Sequence, residues 1–332
     1  MSSVRKSDEV VALAVADIHL CHRRPSARAD EGWYGVMRWY LRALSRLQAR
    51  YEVPILCAGD VFDYWAAPPE LINFAINNLP TMYAIPGQHD LPWHGYEEQH
   101  RSAYATLVYA DRIEDLGSYS QRDRSTQTPF IYQLRDRDYW LAIYPFPWGY
   151  VPYARSELQN DDRYLHIALM HRYVWCDGTG HPGADPAARV EGWGRVLSGY
   201  DVVITGDNHT GFTAKAGLQG PTRPATIVYN CGALIPRAAD ERTLRPAVGL
   251  VMADGRVERH YLEGYPDAWA DDPPVAAGAR GAVDLAGFLS SLGNLATAAT
   301  DFRETLRRAA NAEGAAPDLR QFIQEVLDVC RE

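Results

Sequence analysis

The chain has 332 residues, of which 47% are hydrophobic and 23% are charged, a composition typical of soluble globular proteins with a packed core. Its formal net charge at pH 7 is −9, which excludes a surface that is basic throughout and grips nucleic acid by charge alone. The five cysteines lack CxxC spacing, so the sequence predicts neither a zinc ribbon nor a disulfide-stapled domain.

An apolar run at residues 10–16 follows a basic N-terminus and has the look of a signal-peptide core. Asp8 and Glu9 interrupt the basic flank, and the run ends directly in Asp17. A buried first strand explains the run better, and we expect a cytoplasmic protein. No apolar stretch approaches the ~18 residues that a membrane span needs, so no membrane association is expected.

The first third of the chain alternates between strand and helix patterns. Strand patterns occur at 10–16, 53–58 and 82–85, and amphipathic helix patterns at 33–50 and 71–79 separate them. This alternation predicts a largely parallel α/β sheet. Further strands are predicted at 130–134, 139–144, 164–170, 201–205, 225–229, 247–252 and 257–262.

The composition changes after residue 263. Residues 264–282 are rich in Pro, Ala, Gly and Asp, which predicts a linker, and residues 283–332 have the apolar spacing of helices. We therefore predict a domain at 1–263, a linker and a helical tail. The sequence leaves open whether the tail packs on the domain, forms a homodimer or docks a partner.

Polar residues that can bind metal ions follow five of the predicted strands. They are Asp17 and His19, Asp60 and Asp63, Gln88, His89 and Asp90, His171, and Asp207 and His209. The carboxyl ends of strands in an open α/β sheet meet at one crevice, so these groups are expected to converge. Each group alone has an ordinary structural explanation, such as a helix N-cap or a turn. The full ordered set favours a site for two divalent metal ions.

Five motifs stand at these strand ends. They are DxH at 17–19, GDxxD at 59–63, GQHD at 87–90, His171 and GDNH at 206–209. In this order they resemble the motifs of the calcineurin-like metallophosphoesterases, which read DxH, GDxxD, GNH(D/E), H and GHxH. The resemblance spans roughly residues 10–263. Gln88 departs from the family by replacing Asn, and Asp207 departs by replacing the first His of GHxH.

Several segments are similar to the SbcD-like branch of this family, the DNA-repair exonucleases of phages and bacteria. They are GQHD, GDNH, HRxVW at 171–175 and YPFPWG at 144–149, with a looser likeness around Asp301. The resemblance implies DNA as the substrate and allows an SbcC-like ATPase as the partner.

The family resemblance also implies a fold and a metal site. The implied fold is an α/β, four-layer αββα sandwich with two mixed β-sheets, here followed by a small C-terminal helical segment. One metal ion is expected on Asp17, His19, Asp60 and His209, and a second on Asp60, Gln88, His171 and Asp207. An oxygen-rich second site favours Mn²⁺, with Mg²⁺ or another divalent ion as alternatives.

Three further residues receive catalytic roles from the resemblance. Asp63 is expected to orient a ligand imidazole, and Asp90 to orient His89. His89 matches the histidine that contacts the scissile phosphate or protonates the leaving oxygen. The candidates for substrate contact are His22 and Arg23 in a basic lip that includes Arg28, His94 after the GQHD turn, and Arg237.

Together these features predict a two-metal-dependent phosphodiester hydrolase, a DNA exonuclease or endonuclease of repair or recombination. A metal-bridged hydroxide is expected to attack phosphorus while His89 assists the leaving group. The charge of −9 opposes DNA binding, which a basic ATPase partner or a narrow Arg-lined groove would offset. The alternatives are a phosphatase or phosphodiesterase of a small-molecule or nucleotide substrate, and a non-catalytic scaffold with a retained metal site.

Overall fold

Two six-stranded β-sheets pack face to face in the computed structural model of the protein. The structure describes residues 8–118, 128–135, 139–155, 163–217, 225–266 and 269–270. All of them belong to one compact unit, Met1–Pro273. The predicted helical tail at 283–332 and most of the predicted linker lie outside the described residues, so the domain boundaries stay predictions.

The first sheet contains the N-terminal α/β units and the final hairpin. Its strands are β1 (Val10–Val15), β2 (Ile55–Cys57), β3 (Met82–Ala84), β4 (Ile113–Asp115), β11 (Ala247–Met252) and β12 (Val257–Tyr261). Their order across the sheet is β12-β11-β1-β2-β3-β4. β1 to β4 run parallel, whereas β11 pairs antiparallel with both of its neighbours.

The second sheet is also mixed. Its strands are β5 (Phe130–Gln133), β6 (Trp140–Phe146), β7 (Tyr164–His171), β8 (Val202–Gly206), β9 (Phe212–Ala216) and β10 (Thr226–Asn230). Their order is β5-β6-β7-β8-β10-β9, with a parallel centre and the antiparallel edge strands β5 and β9. This architecture confirms the predicted sandwich of two mixed sheets.

Three α-helices cover the outer face of the first sheet. They are α1 (Trp33–Tyr51), α2 (Pro69–Asn78) and α3 (Ala103–Tyr109). The apolar stripe of α1 includes Met37, Leu41 and Leu44, which are fully buried in one cluster with Leu13 and Val15 of β1. Burial of this stripe holds α1 in place, since a helix in a protein is stabilised mainly by its packed apolar face.

The outer face of the second sheet is covered differently. Among the described residues, this layer consists of loops and the short 3₁₀ helices Pro186–Ala188 and Val190–Trp193, with Val190 and Tyr200 buried against the sheet. Residues 176–199 are rich in glycine and proline, which disfavour long α-helices. The sandwich therefore has few helices on this side.

The two sheets approach each other closely at the end where β1, β2, β7 and β8 terminate. A Cβ atom at Gly206 of β8 would lie 2.8 Å from the Cβ of Ala16 and 2.9 Å from the carbonyl oxygen of Ala58. Only small residues fit at such a crossing, since real Cβ contacts are longer. The close approach brings the polar residues that follow the strands of both sheets to one place.

Some elements depart from the sequence prediction. Strands β4 and β9 were not predicted, because each is an edge strand with few buried side chains. Helix α3 was also missed, although Ser102 caps it by accepting a hydrogen bond from the Ala105 N–H. At the start of the predicted linker, Tyr265 packs on Trp39. No helix in the described part of the chain is long and apolar enough to cross a membrane.

Candidate metal and catalytic site

The loops after β1 and β2 continue the pairing of the two strands beyond their ends. The Asp17 N–H donates to the Gly59 carbonyl at 3.0 Å, and the His19 N–H donates to the Asp60 carbonyl at 3.0 Å. Asp17, His19 and Asp60 have φ values of 50°, 47° and 54°, and Asp207 after β8 has 78°. Non-glycine residues rarely adopt this left-handed region, and such strain concentrates at functional sites.

Two glycines let side chains of the site approach the backbone. A Cβ at Gly59 would collide with the His171 imidazole, and a Cβ at Gly87 would collide with the Asp60 carboxylate. Gly59 also has a φ of 98°, which suits glycine. The glycines of the GDxxD and GQHD motifs therefore leave room for the acid and the imidazole.

Two imidazoles from opposite sheets meet at the centre of the site. The Nε2 atoms of His19 and His209 are 3.1 Å apart, and the Asp60 Oδ2 atom lies 3.7 Å from His19 Nε2. His209 Nδ1 and Glu241 Oε1 are 2.5 Å apart, so the carboxylate accepts a hydrogen bond from the Nδ1–H group and Nε2 points at the site.

Electrostatics supports this arrangement. Burial lowers the pKa of His19 well below its ordinary value, so its Nε2 lone pair is available to a cation. Burial opposes ionisation of Glu241 too, but the hydrogen bonds from His209 and the backbone N–H groups of Arg237 and Ala238 lower its pKa to about 2. The site thus holds a charged carboxylate behind one imidazole.

His171 forms the opposite wall of the site. Its Nδ1 donates to the Ala58 carbonyl at 2.5 Å, and its Nε2 lies 3.4 Å from Asp60 Oδ2 with no hydrogen-bond partner. Although burial favours the neutral acid, His171 and His19 hold the pKa of Asp60 below its ordinary value. Burial raises the pKa of Asp17 to about 7.

The residues fit divalent metal ions. Three sets of ligand atoms lie within 4.8 Å of one another: Asp17, His19 and His209; His19, Asp60 and His89; and Asp17, Asp60 and His171. Gln88 Oε1 and His171 Nε2 are buried without hydrogen-bond partners, which is costly unless a ligand satisfies such atoms. Carboxylate and imidazole donors are those that first-row divalent ions accept.

The two residues that depart from the family motifs contact each other. Gln88 Nε2 donates to Asp207 Oδ1 at 2.8 Å, which leaves Gln88 Oε1 without a partner. The Asp207 N–H donates to both carboxylate oxygens of Asp17, at 3.0 and 3.1 Å. The two departures thus form one hydrogen-bonded pair beside the buried acid.

The prediction that Asp90 orients His89 is wrong. The Asp90 carboxylate instead accepts hydrogen bonds from the backbone N–H groups of Val61, Phe62 and Gly87, so it joins the loops after β2 and β3. His89 is oriented by the Asp63 carbonyl oxygen, 2.8 Å from its Nδ1.

Asp63 lies between an imidazole and an arginine. Its Oδ1 atom is 3.6 Å from His19 Nδ1 and 2.8 Å from Arg237 Nη1. The carboxylate therefore lies next to both His19, a candidate metal ligand, and Arg237, a candidate for substrate contact. His94 Nδ1 contacts the Gln88 carbonyl oxygen at 2.9 Å. Arg237 and His94 therefore lie beside the site, and their contact with a substrate stays a prediction.

Only part of the predicted basic lip is exposed and therefore able to contact a substrate. Arg28 is 1% exposed and forms a 2.8 Å ion pair with Asp30, so it cannot reach a substrate and the expectation for it is wrong. His22 is exposed but contacts the Tyr34 hydroxyl at 2.9 Å. Arg23 is exposed on the same loop.

A cavity of about 470 Å³ adjoins the site. Its lining includes His171 and Asp207, together with the aromatic side chains of Trp148, Tyr173 and Trp193. This volume lies in the range of sites for small organic ligands.

Glu241 is the functional residue that sequence reasoning missed. It lies 32 residues beyond His209, in the 3₁₀ turn Ala239–Glu241, and belongs to none of the five motifs. No local pattern marks it. Only the fold places its carboxylate against the His209 ring.

The solved structures that are similar to this chain include two that can be compared in detail. A metallophosphoesterase from Sphaerobacter thermophilus shows 14% identity, a TM-score of 0.37, and coverage of 77% of this chain and 89% of that chain. A 5′-nucleotidase precursor from Thermus thermophilus shows 14% identity, a TM-score of 0.42, and coverage of 77% and 55% respectively. The chain thus spans about half of that second protein. No curated protein matches the chain.

A family model also matches the chain. The model of the calcineurin-like phosphoesterases matches residues 11–211, which is more than half of the chain and contains all five motifs. Members of this family hydrolyse phosphoesters with divalent metal ions. The SbcD-like branch stays a prediction. By this match, the chain belongs to the calcineurin-like phosphoesterase family.

Proposed function

We propose that the protein is a two-metal-dependent phosphodiester hydrolase that cleaves DNA as an exonuclease or endonuclease of repair or recombination. The observation that carries the hydrolytic part is the 3.1 Å approach of His19 Nε2 and His209 Nε2 beside Asp60. Imidazole nitrogens and a carboxylate that converge on one point are a donor set that can hold a divalent cation.

The metal ions in this proposal share the Asp60 carboxylate. Asp17, His19 and His209 complete one set of ligands, and Gln88, His171 and Asp207 complete the other. Two divalent ions held there would offset the charge of the phosphoryl oxygens and make hydroxide available near neutral pH. The orphaned Gln88 Oε1 and His171 Nε2 atoms support the second set.

His89 is the proposed general acid. Its Nδ1 lies 2.8 Å from the Asp63 carbonyl oxygen. A carbonyl oxygen accepts hydrogen bonds but donates none, so Nδ1 is the donor and Nε2 is the nitrogen left for the substrate. We assign to Nε2 the proton that moves to the leaving oxygen. Arg237, paired with Asp63, is the proposed contact for a phosphate.

The choice of DNA rests on the GQHD and GDNH motifs, which are similar to those of the SbcD-like nucleases. The charge of −9 favours an arrangement in which a basic partner, such as an SbcC-like ATPase, helps to hold the DNA. Mn²⁺ is the proposed ion, because Asp207 and Gln88 make the second set rich in oxygen donors.

Digestion of end-labelled linear DNA with Mn²⁺ tests the proposal. We expect Asp60→Ala to abolish cleavage and His89→Ala to slow it by about 10²- to 10⁴-fold, the usual contribution of a general acid. His260→Gln, on the edge strand β12, serves as the matched control and is expected to cleave like wild type. Equal digestion by all four proteins would refute the site assignment.

The aromatic cavity favours a second candidate function, a phosphatase or phosphodiesterase of nucleotides or another small molecule. Trp148 and Trp193 could enclose a base while the phosphate lies near His171 and Asp207. Release of phosphate from nucleoside monophosphates without any trimming of DNA would support this function. Failure to hydrolyse DNA, nucleotides and aryl phosphates alike would support the non-catalytic scaffold.

A further inference from the structure

Three aromatic side chains form a continuous row on the surface. The ring centroids of Tyr64 and Trp65 are 5.5 Å apart, and those of Trp65 and Trp93 are 5.4 Å apart. Tyr64 is 59% exposed and Trp93 is 65% exposed. Aromatic side chains of this size are normally well buried, so two exposed members of one row point to a binding surface. We refer to Tyr64, Trp65 and Trp93 as the aromatic row.

Both loops that supply the aromatic row also supply residues of the candidate catalytic site. Tyr64 directly follows Asp63, whose carbonyl oxygen contacts His89 Nδ1. Trp93 directly precedes His94, whose Nδ1 contacts the Gln88 carbonyl oxygen at 2.9 Å. The rings therefore extend from the loops that carry the proposed general acid and a proposed metal ligand.

The backbone at Trp93 is strained. Trp93 and His94 have φ values of 49° and 60°, in the left-handed region that is uncommon for non-glycine residues. The Arg101 guanidinium carbon lies 4.9 Å from the centre of the Trp93 ring and its Nη1 pairs with Glu98. Strain that persists at an exposed ring beside an active site is expected where the ring contacts a ligand.

We propose that the aromatic row is a stacking surface for the bases of single-stranded nucleic acid whose backbone leads to the catalytic site. The inference rests on the proposed nuclease function and names the form of its substrate. Every base has an aromatic face, so such a surface binds without regard to sequence. Stacking also supplies affinity that does not depend on positive charge, as a chain with a net charge of −9 requires.

Binding of a fluorescent single-stranded oligonucleotide, followed by anisotropy with EDTA present to prevent cleavage, tests the inference. Stacking of one base on one ring changes affinity by roughly 5- to 150-fold. We expect Trp93→Ala to weaken binding by about 10-fold or more. Trp93→Gly, which adopts the left-handed conformation freely, separates loss of the ring from backbone strain and is expected to weaken binding equally.

Tyr109→Ala is the matched control, because Tyr109 is an equally solvent-accessible aromatic residue, 81% exposed, on α3. It is expected to bind like wild type. Binding of Mn²⁺ to the metal-stripped protein, measured by calorimetry, is expected to be unchanged in the Trp93 variants. This second measurement shows that the catalytic site remains intact.

The outcomes separate the two proposals. If wild type cleaves DNA but the Trp93 variants bind the oligonucleotide as wild type does, the aromatic row is not a stacking surface and the nuclease function stands. If wild type hydrolyses only small phosphoesters and binds no oligonucleotide, both proposals fail. If the Trp93 variants lose only the capture of a protein partner, the row is a protein interface and the inference is overturned.

Discussion

Glu241 and His209 form the closest contact between a carboxylate and an imidazole of the site, 2.5 Å, although they are 32 residues apart in the chain. Burial would lower the pKa of His209, but the hydrogen bond to Glu241 and the negative charges of Asp17 and Glu241 together outweigh burial and raise it. A carboxylate behind a ligand histidine fixes which nitrogen carries the proton and makes the other nitrogen a stronger donor to a metal.

Glu241→Gln should therefore weaken Mn²⁺ binding by about 10- to 100-fold, because loss of such a partner has this effect at other metal sites. Titration of metal-stripped protein by calorimetry measures the change. Glu191→Gln is the control, since Glu191 is exposed and pairs only with Arg189 among its described contacts. An unchanged affinity in Glu241→Gln would contradict the proposed role of His209 as a ligand.

Asp207 and Gln88 are the two departures from the family motifs, and they form one pair at 2.8 Å. Asp207→His replaces an oxygen donor with a nitrogen donor, which zinc accepts more readily than Mn²⁺ does. We expect the variant to shift metal preference toward zinc, measured as the ratio of activities of stripped enzyme reconstituted with each ion. Wild-type activity that returns only with zinc would refute the proposed preference for Mn²⁺.

At the scale of elements, α3 and β4 are joined through a half-buried acid, Asp115. The Asp115 carboxylate accepts hydrogen bonds from Tyr104 on α3, from Tyr96 and Gln99 on the preceding 3₁₀ helix, and from the Gly117 N–H. These bonds favour the ionised carboxyl, but burial outweighs them and raises the pKa of Asp115.

This raised pKa predicts how stability depends on pH. The folded protein binds the Asp115 proton more tightly than the unfolded chain, so the stabilisation is complete below the ordinary pKa of 3.8 and is lost as pH rises through the raised value. The free energy of unfolding of wild type should therefore fall relative to that of Asp115→Asn between acid and neutral pH. Urea denaturation in EDTA measures the difference between the two proteins at each pH.

At the scale of the whole molecule, part of the excess of acidic over basic residues is concentrated at the candidate metal site. Asp17, Asp60 and Asp207 lie together where the strands of both sheets end, and two divalent ions would reduce the formal charge from −9 to about −5. Because these acids come from distant parts of the chain, the metal site exists only when both sheets have folded against each other.

Removal of metal ions should therefore lower the melting temperature. An ion at 100 times its dissociation constant stabilises a folded protein by about 2.7 kcal/mol, which corresponds to roughly 5–10 °C for a domain of this size. We expect Mn²⁺ to restore that shift to EDTA-treated wild type. Asp60→Asn should melt at the same temperature with and without Mn²⁺, and a metal response in that variant would argue against Asp60 as the shared ligand.

The sequence predicted most elements because their signals are local. The apolar run at 10–16 and the helical spacing at 33–50 reflect burial on one face, and both elements occur within a residue or two of their expected ends. Strand β4 lacks such a signal, since only Ile113 of its three residues is buried. The prediction that Asp90 orients His89 was wrong because adjacency in the chain does not determine the direction in which the Asp90 carboxylate points.

By itself, the sequence determined the order of strands and helices, the family, and the set of acids, amides and imidazoles at the strand ends. These follow from periodicity and from motifs that lie within a few residues of one another. The tertiary structure decided which groups meet: Glu241 with His209, Gln88 with Asp207, and Asp90 with backbone N–H groups. It did so because sheet packing, with Gly206 pressed against Ala16, brings together side chains whose separation in the chain leaves no local pattern.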